Sequence, residues 1–111
     1  MEDFSMETKK IANAEDFADT IGEGVTLIDF NAPWCGPCRV QEPIIDQLSE
    51  EYGGRASVVE MNVDENQETT AKLGIQSIPT LALFRNGQEI QRFVGLQAKQ
   101  TLVDALESAL N

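Results

Sequence analysis

Cys35 and Cys38 are the chain's two cysteines, set in the string "WCGPC" with Gly36 and Pro37 between them. Two thiols at this spacing can ligate a metal, lie inert in a core, or exchange a disulfide. A structural zinc usually takes four ligands. This chain has two thiols and no histidine, so a metal site would need carboxylates or a second copy of the chain to complete it. Incidental burial is the ordinary fate of a free cysteine. The lack of histidine also removes a cysteine–histidine nucleophile pair. The local pattern favours exchange. Cys35 follows a short apolar run and opens a helical one, where unpaired backbone N–H groups and the positive dipole end favour a thiolate. Cys38 comes one turn later, so both sulfurs share a face and can close a small ring. Pro37 falls in the first turn, where its missing N–H costs little. Cys35 then serves as an outer nucleophile on a substrate disulfide, and Cys38 as the inner thiol that resolves the mixed disulfide.

The elements that must position this pair can be read on either side of it. "VTLIDF", Val25 to Phe30, is short and almost continuously apolar, the pattern of a strand buried on both faces. Asp29 interrupts it, and an acid between Ile28 and Phe30 is costly to bury, which points to a use for it. From Cys35 to Tyr52 the spacing of Val40, Ile44, Leu48 and Tyr52 is helical, with Gly53-Gly54 as the stop and Pro43 as an internal kink. Asn13 is a candidate N-cap for an earlier helix through Phe17 and Ile21. "ASVVEMNVD", Ala56 to Asp64, has the composition of a second buried strand, and a short helix follows to Leu73-Gly74. "TLALF" and "EIQRFV" flank Asn86-Gly87, a strong two-residue hairpin signal. Leu102, Val103, Leu106, Ala109 and Leu110 line one face of a closing helix. With a weak first strand near Thr8 to Ile11, this is an α/β order. Parallel strands with right-handed crossovers and one antiparallel hairpin make a mixed sheet with helices on both faces.

The 111 residues suit one domain. Lysine and arginine number 8 against 19 aspartates and glutamates, a formal charge of -11. That surface repels phosphate backbones and favours solubility, so nucleic acid is not an expected partner. The opening "MEDFSMETKK" is acidic and has no signal-like apolar core, and no apolar run is long enough to span a bilayer. A cytoplasmic location is expected unless a precursor segment has been removed. A close cysteine pair there is catalytic or metal-binding more often than structural.

"WCGPC" after a strand ending in "DF", with "SIPT" and then "NGQEIQRFVG" downstream, resembles the thioredoxin family over nearly the whole chain. The first five or so residues lie outside the resemblance and are expected as a loose extension of a single domain, 1–111. The resemblance implies the thioredoxin fold, a central mixed sheet of four to five strands flanked by four helices. It implies a cytosolic dithiol reductant of protein disulfides, an electron carrier with protein-disulfide reductase activity. Cys35 would attack and Cys38 resolve, while Gly36 and Pro37 would tune the redox potential. Asp29 would be the buried carboxylate that moves a proton to and from Cys38. Ile78-Pro79 would form a cis-proline loop opposite the cysteines, although base rates alone favour trans. Trp34, Ile78, Pro79 and Gly95 would line a shallow groove for an extended client segment. The implied electron source is a thioredoxin reductase, whose flavin and NADPH belong to it. The protein itself would be a monomer needing no bound cofactor or metal.

Three positions depart from the family pattern. Asn31 stands where a second tryptophan is common, and Arg39 where lysine is frequent. Glu60 replaces a lysine commonly found near the buried aspartate, so two acids take the place of an acid–lysine pair. If the strands of Asp29 and Glu60 are parallel neighbours, the two carboxylates approach each other beneath the thiols, raising the pKa of Asp29 and making Glu60 a redox-tuning residue. These departures give weight to an alternative, a carrier dedicated to one client or an atypical reductase. A non-redox binding subunit is the alternative of another class, and intact Cys35, Cys38 and Asp29 argue against it.

Overall fold

Alternating apolar strands and amphipathic helices are laid down here as a five-stranded sheet covered on both faces. The structure, a computed structural model, describes residues 8–111. The expected N-terminal extension lies outside the described residues. In chain order the elements are β1 (Lys9–Ile11), α1 (Ala14–Ile21), β2 (Val25–Asn31), α2 (Gly36–Glu51), β3 (Ser57–Asn62), α3 (Gln67–Lys72), β4 (Thr80–Arg85), β5 (Gln88–Val94) and α4 (Lys99–Leu110). The strand order is β1-β3-β2-β4-β5. β3 runs parallel to β1 and β2, whereas β4 is antiparallel to both β2 and β5.

β2 is the middle strand, and its residues from Val25 to Phe30 are all buried, as a run apolar on both faces requires. Leu27 points to the side where Ile45 and Leu48 of α2, Val58, Leu81, Leu83, and Leu102 and Leu106 of α4 pack together. Ile28 and Phe30 point to the opposite side, with Val59, Met61 and Phe84, under Phe17 and Ile21 of α1. Phe17 meets Phe84 edge to face, with ring centroids 5.7 Å apart. Leu27 and Asp29 share a face by strand alternation, which puts Asp29 on the α2 side.

Local chemistry fixes the element ends. The Asn13 side chain accepts from the Asp16 N–H and caps α1. The hairpin between β4 and β5 turns at Asn86 (φ 51°) and Gly87 (φ 89°). A two-residue turn with both φ values positive matches strand twist, which is why Asn-Gly is favoured there. Asn86 also bonds back to Gly24 through its backbone N–H and side-chain oxygen, tying the turn to the start of β2. At the far end of α2, the Tyr52 hydroxyl donates to Glu107 of α4 at 2.7 Å.

The buried stripe of α2 differs from the expected one. Cys38, Gln41, Ile45 and Leu48 are its buried residues, while Val40 is 58% exposed. Gln41 takes the core position, so apolarity alone selects its neighbour instead. The Gln41 side chain is fully buried.

Candidate functional site

The cysteine pair sits where β2 hands over to α2. Cys35 is the N-cap of α2, with extended backbone (φ -88°, ψ 113°), and Pro37 follows in the first turn. The Cys38 N–H donates to Cys35 Sγ at 3.2 Å. The cap position is normally filled by a side-chain oxygen that accepts such an orphan N–H. Here a sulfur takes that role, in the field of the helix's positive end. Cys35 and Cys38 form a disulfide, with Cα atoms 5.3 Å apart. As residues they are almost equally buried, at 5% and 4% exposure. Their surroundings, rather than their exposure, distinguish them: Cys35 faces the proline loop and Cys38 lines a cavity on the other side. Arg39 folds back so that Nε and Nη2 both donate to Pro33 O, bracing the turn ahead of the pair.

On the Cys35 side lie the residues expected at a groove. Trp34 is 68% exposed, and its indole N–H donates to Asp64 at 2.7 Å. The Ile78-Pro79 peptide bond is cis, and Ile78 O lies 3.8 Å from Cys35 Sγ. The Gly95 N–H donates to Pro79 O at 2.8 Å, joining the end of β5 to the proline loop. Gly95 has φ +92°, a conformation side chains resist, and open space where a Cβ would stand. Val94 and Leu96, flanking it, are exposed apolar residues.

On the Cys38 side a cavity of about 450 Å³ is lined by Lys10, Asn31, Cys38, Arg39, Glu42 and Glu60, among others. Glu60 stands opposite Asp29 in the parallel register of β2 and β3. The Asn31 side-chain N–H donates to Glu60 Oε1 at 2.7 Å. Asp29 is 1% exposed, and its Oδ1 has no hydrogen-bond partner among the described residues. Burial, then the charge of Glu60, push its pKa up to about 7, with the Asn31 amide pulling the other way. Burial also raises Glu60, against the opposing effects of the Asn31 amide and of Lys10. Lys10 lies opposite Glu60 on the other side, in β1. The lysine missing from the position of Glu60 is thus replaced by one a strand further out.

Gly36 and Pro37 form the first turn of α2 between the cysteines. Asp64, the indole partner, and Lys10 escaped the sequence reading. Asp64, at the end of the expected strand and two residues past the end of β3, gave a weak signal, and Lys10 on a three-residue edge strand gave none. Among the described residues no three side chains of metal-binding type converge, and no helix is long and apolar enough to cross a membrane.

A lone cysteine pair capping a helix beside a cis-proline loop, with a buried carboxylate on the same sheet face, defines a dithiol–disulfide oxidoreductase. The sequence profile of the Thioredoxin family matches residues 8–108. A thioredoxin of Staphylococcus saprophyticus is 43% identical over 94 residues, 85% of this chain and 90% of that protein. One of Staphylococcus aureus is 42% identical over 101 residues, 91% of this chain and 96% of its own length. Among solved structures, a mutant thioredoxin from Halobacterium salinarum superposes with a TM-score of 0.88 at 36% identity, covering 96% of this chain and 93% of that one. The Malassezia sympodialis thioredoxin gives 0.86 at 30% identity, covering 94% and 91%. The chain belongs to the thioredoxin family, and Cys35 and Cys38 are its redox-active pair.

Proposed function

We propose that this oxidoreductase works as a cytoplasmic, monomeric reductant of protein disulfides, re-reduced by a thioredoxin reductase that draws on NADPH through its own flavin. The protein itself needs no bound cofactor. The observation that carries the reading is the Cys38 N–H aimed at Cys35 Sγ from the first turn of α2, at 3.2 Å. That donor and the helix dipole favour a thiolate at Cys35 in the reduced form.

Cys35 attacks one sulfur of a client disulfide. The client bond breaks, the released client thiolate takes a proton from solvent, and a mixed disulfide forms. Cys38 gives its proton to the Asp29 carboxylate and attacks Cys35 Sγ. The second client thiolate leaves and takes that proton. Two electrons have passed to the client, which departs as a dithiol, and the protein holds the Cys35–Cys38 disulfide. Trp34, Ile78, Pro79 and Gly95 bind the client segment through apolar contact and main-chain hydrogen bonds. Gly36 and Pro37 shape the first turn and so the potential of the pair.

Glu60 beside Asp29 supports a second reading, a carrier matched to one client or to an atypical reductase, because the charge beneath the thiols departs from the family pattern. NADPH-coupled turnover with a thioredoxin reductase and a generic protein disulfide tests the choice. Rapid turnover supports the general reductant. Reduction of the client by chemically reduced protein, without re-reduction by that enzyme, supports the dedicated carrier. No reduction in either assay overturns both.

A further inference from the structure

Gln41 is the one fully buried side-chain amide on α2, three residues beyond Cys38. Its Nε2 donates to Gln97 O at 3.0 Å, and its Oε1 accepts from the Gln97 N–H at 2.7 Å. A side chain here imitates one rung of a strand ladder. The partner segment joins β5 to α4. Ala98, the N-cap of α4, makes no side-chain capping bond. Gln97 Nε2 donates to Gly95 O at 3.1 Å, and the Gly95 N–H in turn donates to Pro79 O. A continuous set of hydrogen bonds thus runs from the cysteine-bearing helix through Gln97 and Gly95 to the proline loop.

A buried amide is costly unless both its ends are paired. An aliphatic residue would fill the space at a position otherwise occupied by Cys38, Ile45 and Leu48. The amide adds direction, which packing alone does not supply. α4 is already anchored by Leu102 and Leu106 in the core and by Tyr52 on Glu107, so its attachment does not depend on Gln41.

We propose that Gln41 is a positioning residue for client docking: paired both ways with the Gln97 backbone, it holds the Gly95 wall of the groove in register with the helix that carries Cys35 and Cys38. The clients concerned are extended peptide segments bearing a disulfide, bound through backbone hydrogen bonds. The inference rests on the groove reading given above.

Gln41→Met keeps length and apolar bulk while removing both bonds. Two substrates separate docking from chemistry: a ten-residue peptide closed by one disulfide, and a small aromatic disulfide with no peptide backbone. The expected result is a rise in KM for the peptide of roughly three- to tenfold, the effect of about one net hydrogen bond. The kcat and the attack rate on the aromatic disulfide stay as in wild type. An unchanged peptide KM, or an equal fall in both reactions, overturns the proposal. Trp34→Ala is the control for the groove: if it leaves the peptide KM unchanged, the groove reading falls and takes this inference with it. If Trp34→Ala raises KM and Gln41→Met does not, the brace alone is wrong. Should Gln41→Met fold poorly, Gln41→Glu serves instead. Its protonated carboxyl supplies one donor and one acceptor, whereas its ionised form faces the Gln97 carbonyl. The ratio of variant to wild-type KM then climbs as pH rises, and a pH-independent ratio overturns the proposal.

Discussion

Asp29 and Glu60 stand opposite each other in the parallel register of β2 and β3, with Lys10 opposite Glu60 on the outer side. The row therefore reads cation, acid, acid from the sheet edge inward. Strands lie about 4.8 Å apart, so Lys10 is roughly 10 Å from Asp29, about one Debye length at ordinary salt. Glu60 is at half that distance and acts across protein rather than water. Burial first, and then the repulsion from Glu60, push the Asp29 pKa up to about 7, against the Asn31 amide.

Stability should follow from that shift with a definite sign. Below the ordinary pKa of 3.8, Asp29 is protonated in both folded and unfolded chains. Between there and about 7 the folded protein keeps a proton that the unfolded chain has lost, so stability falls as pH rises, by on the order of 4 kcal/mol in all. Above the folded pKa this contribution is spent and the curve levels. Glu60→Lys replaces the repelling neighbour with a cation and should flatten the fall. Unfolding free energies across pH 3.5 to 8.5, in steps of about half a unit, check this. Parallel curves for wild type and variant would remove Glu60 from the account.

The order of attack is open to trapping. Cys38→Ser leaves Cys35 able to attack but removes the resolving thiol, so a mixed disulfide with clients should accumulate. Cys35→Ser should trap none. Non-reducing electrophoresis of each variant with a protein disulfide reads the result, and the opposite pattern would reverse the roles.

Trp34 is the chain's single tryptophan, next to Cys35 and bonded to Asp64. Its emission should differ between the oxidised and reduced protein, because the neighbouring sulfurs change state. Asp64→Ala should alter that emission while changing stability by no more than about 1 kcal/mol, the net worth of an exposed hydrogen bond. Superimposable spectra of the two redox states would show that the indole does not sense the pair.

Much of this site was legible because its elements carry local signals. Asn86-Gly87 specified a turn through φ alone, and "VTLIDF" specified a central strand through apolarity on both faces. The Asp29–Glu60 pairing followed from strand order and handedness without any contact information. What escaped depended on register or on polar groups placed in the core. Lys10 belongs to a three-residue edge strand whose partner is set only by the assembled sheet. Apolar spacing puts Val40 on the buried face of α2, because Gln41, which occupies it, is polar. That amide finds its partners on Gln97, 56 residues away, a distance no local pattern spans.

The Asp29→Ala variant should separate stability from turnover. In acid the wild-type carboxyl is neutral, so truncation removes only packing, a loss of about 1 kcal/mol. At neutral pH and above, the wild type carries a buried charge whose Oδ1 has no partner among the described residues, and the variant is relieved of it. The two stability curves should therefore cross, with the variant less stable near pH 4 and more stable near pH 8, the crossing falling between 3.8 and about 7. Disulfide exchange should move the other way. Attack by Cys35 needs no proton from Asp29 and should keep its rate, while resolution by Cys38 loses its base and should slow by roughly 10²-fold or more. The mixed disulfide should then persist for longer with wild-type Cys38 in place, and its lifetime should shorten as rising pH ionises Cys38 directly. Stopped-flow exchange with a peptide disulfide, run beside the unfolding series, reads both effects. Parallel curves across this range would show that the Asp29 charge is tolerated at no cost. An unchanged resolution rate would remove Asp29 from the proton path.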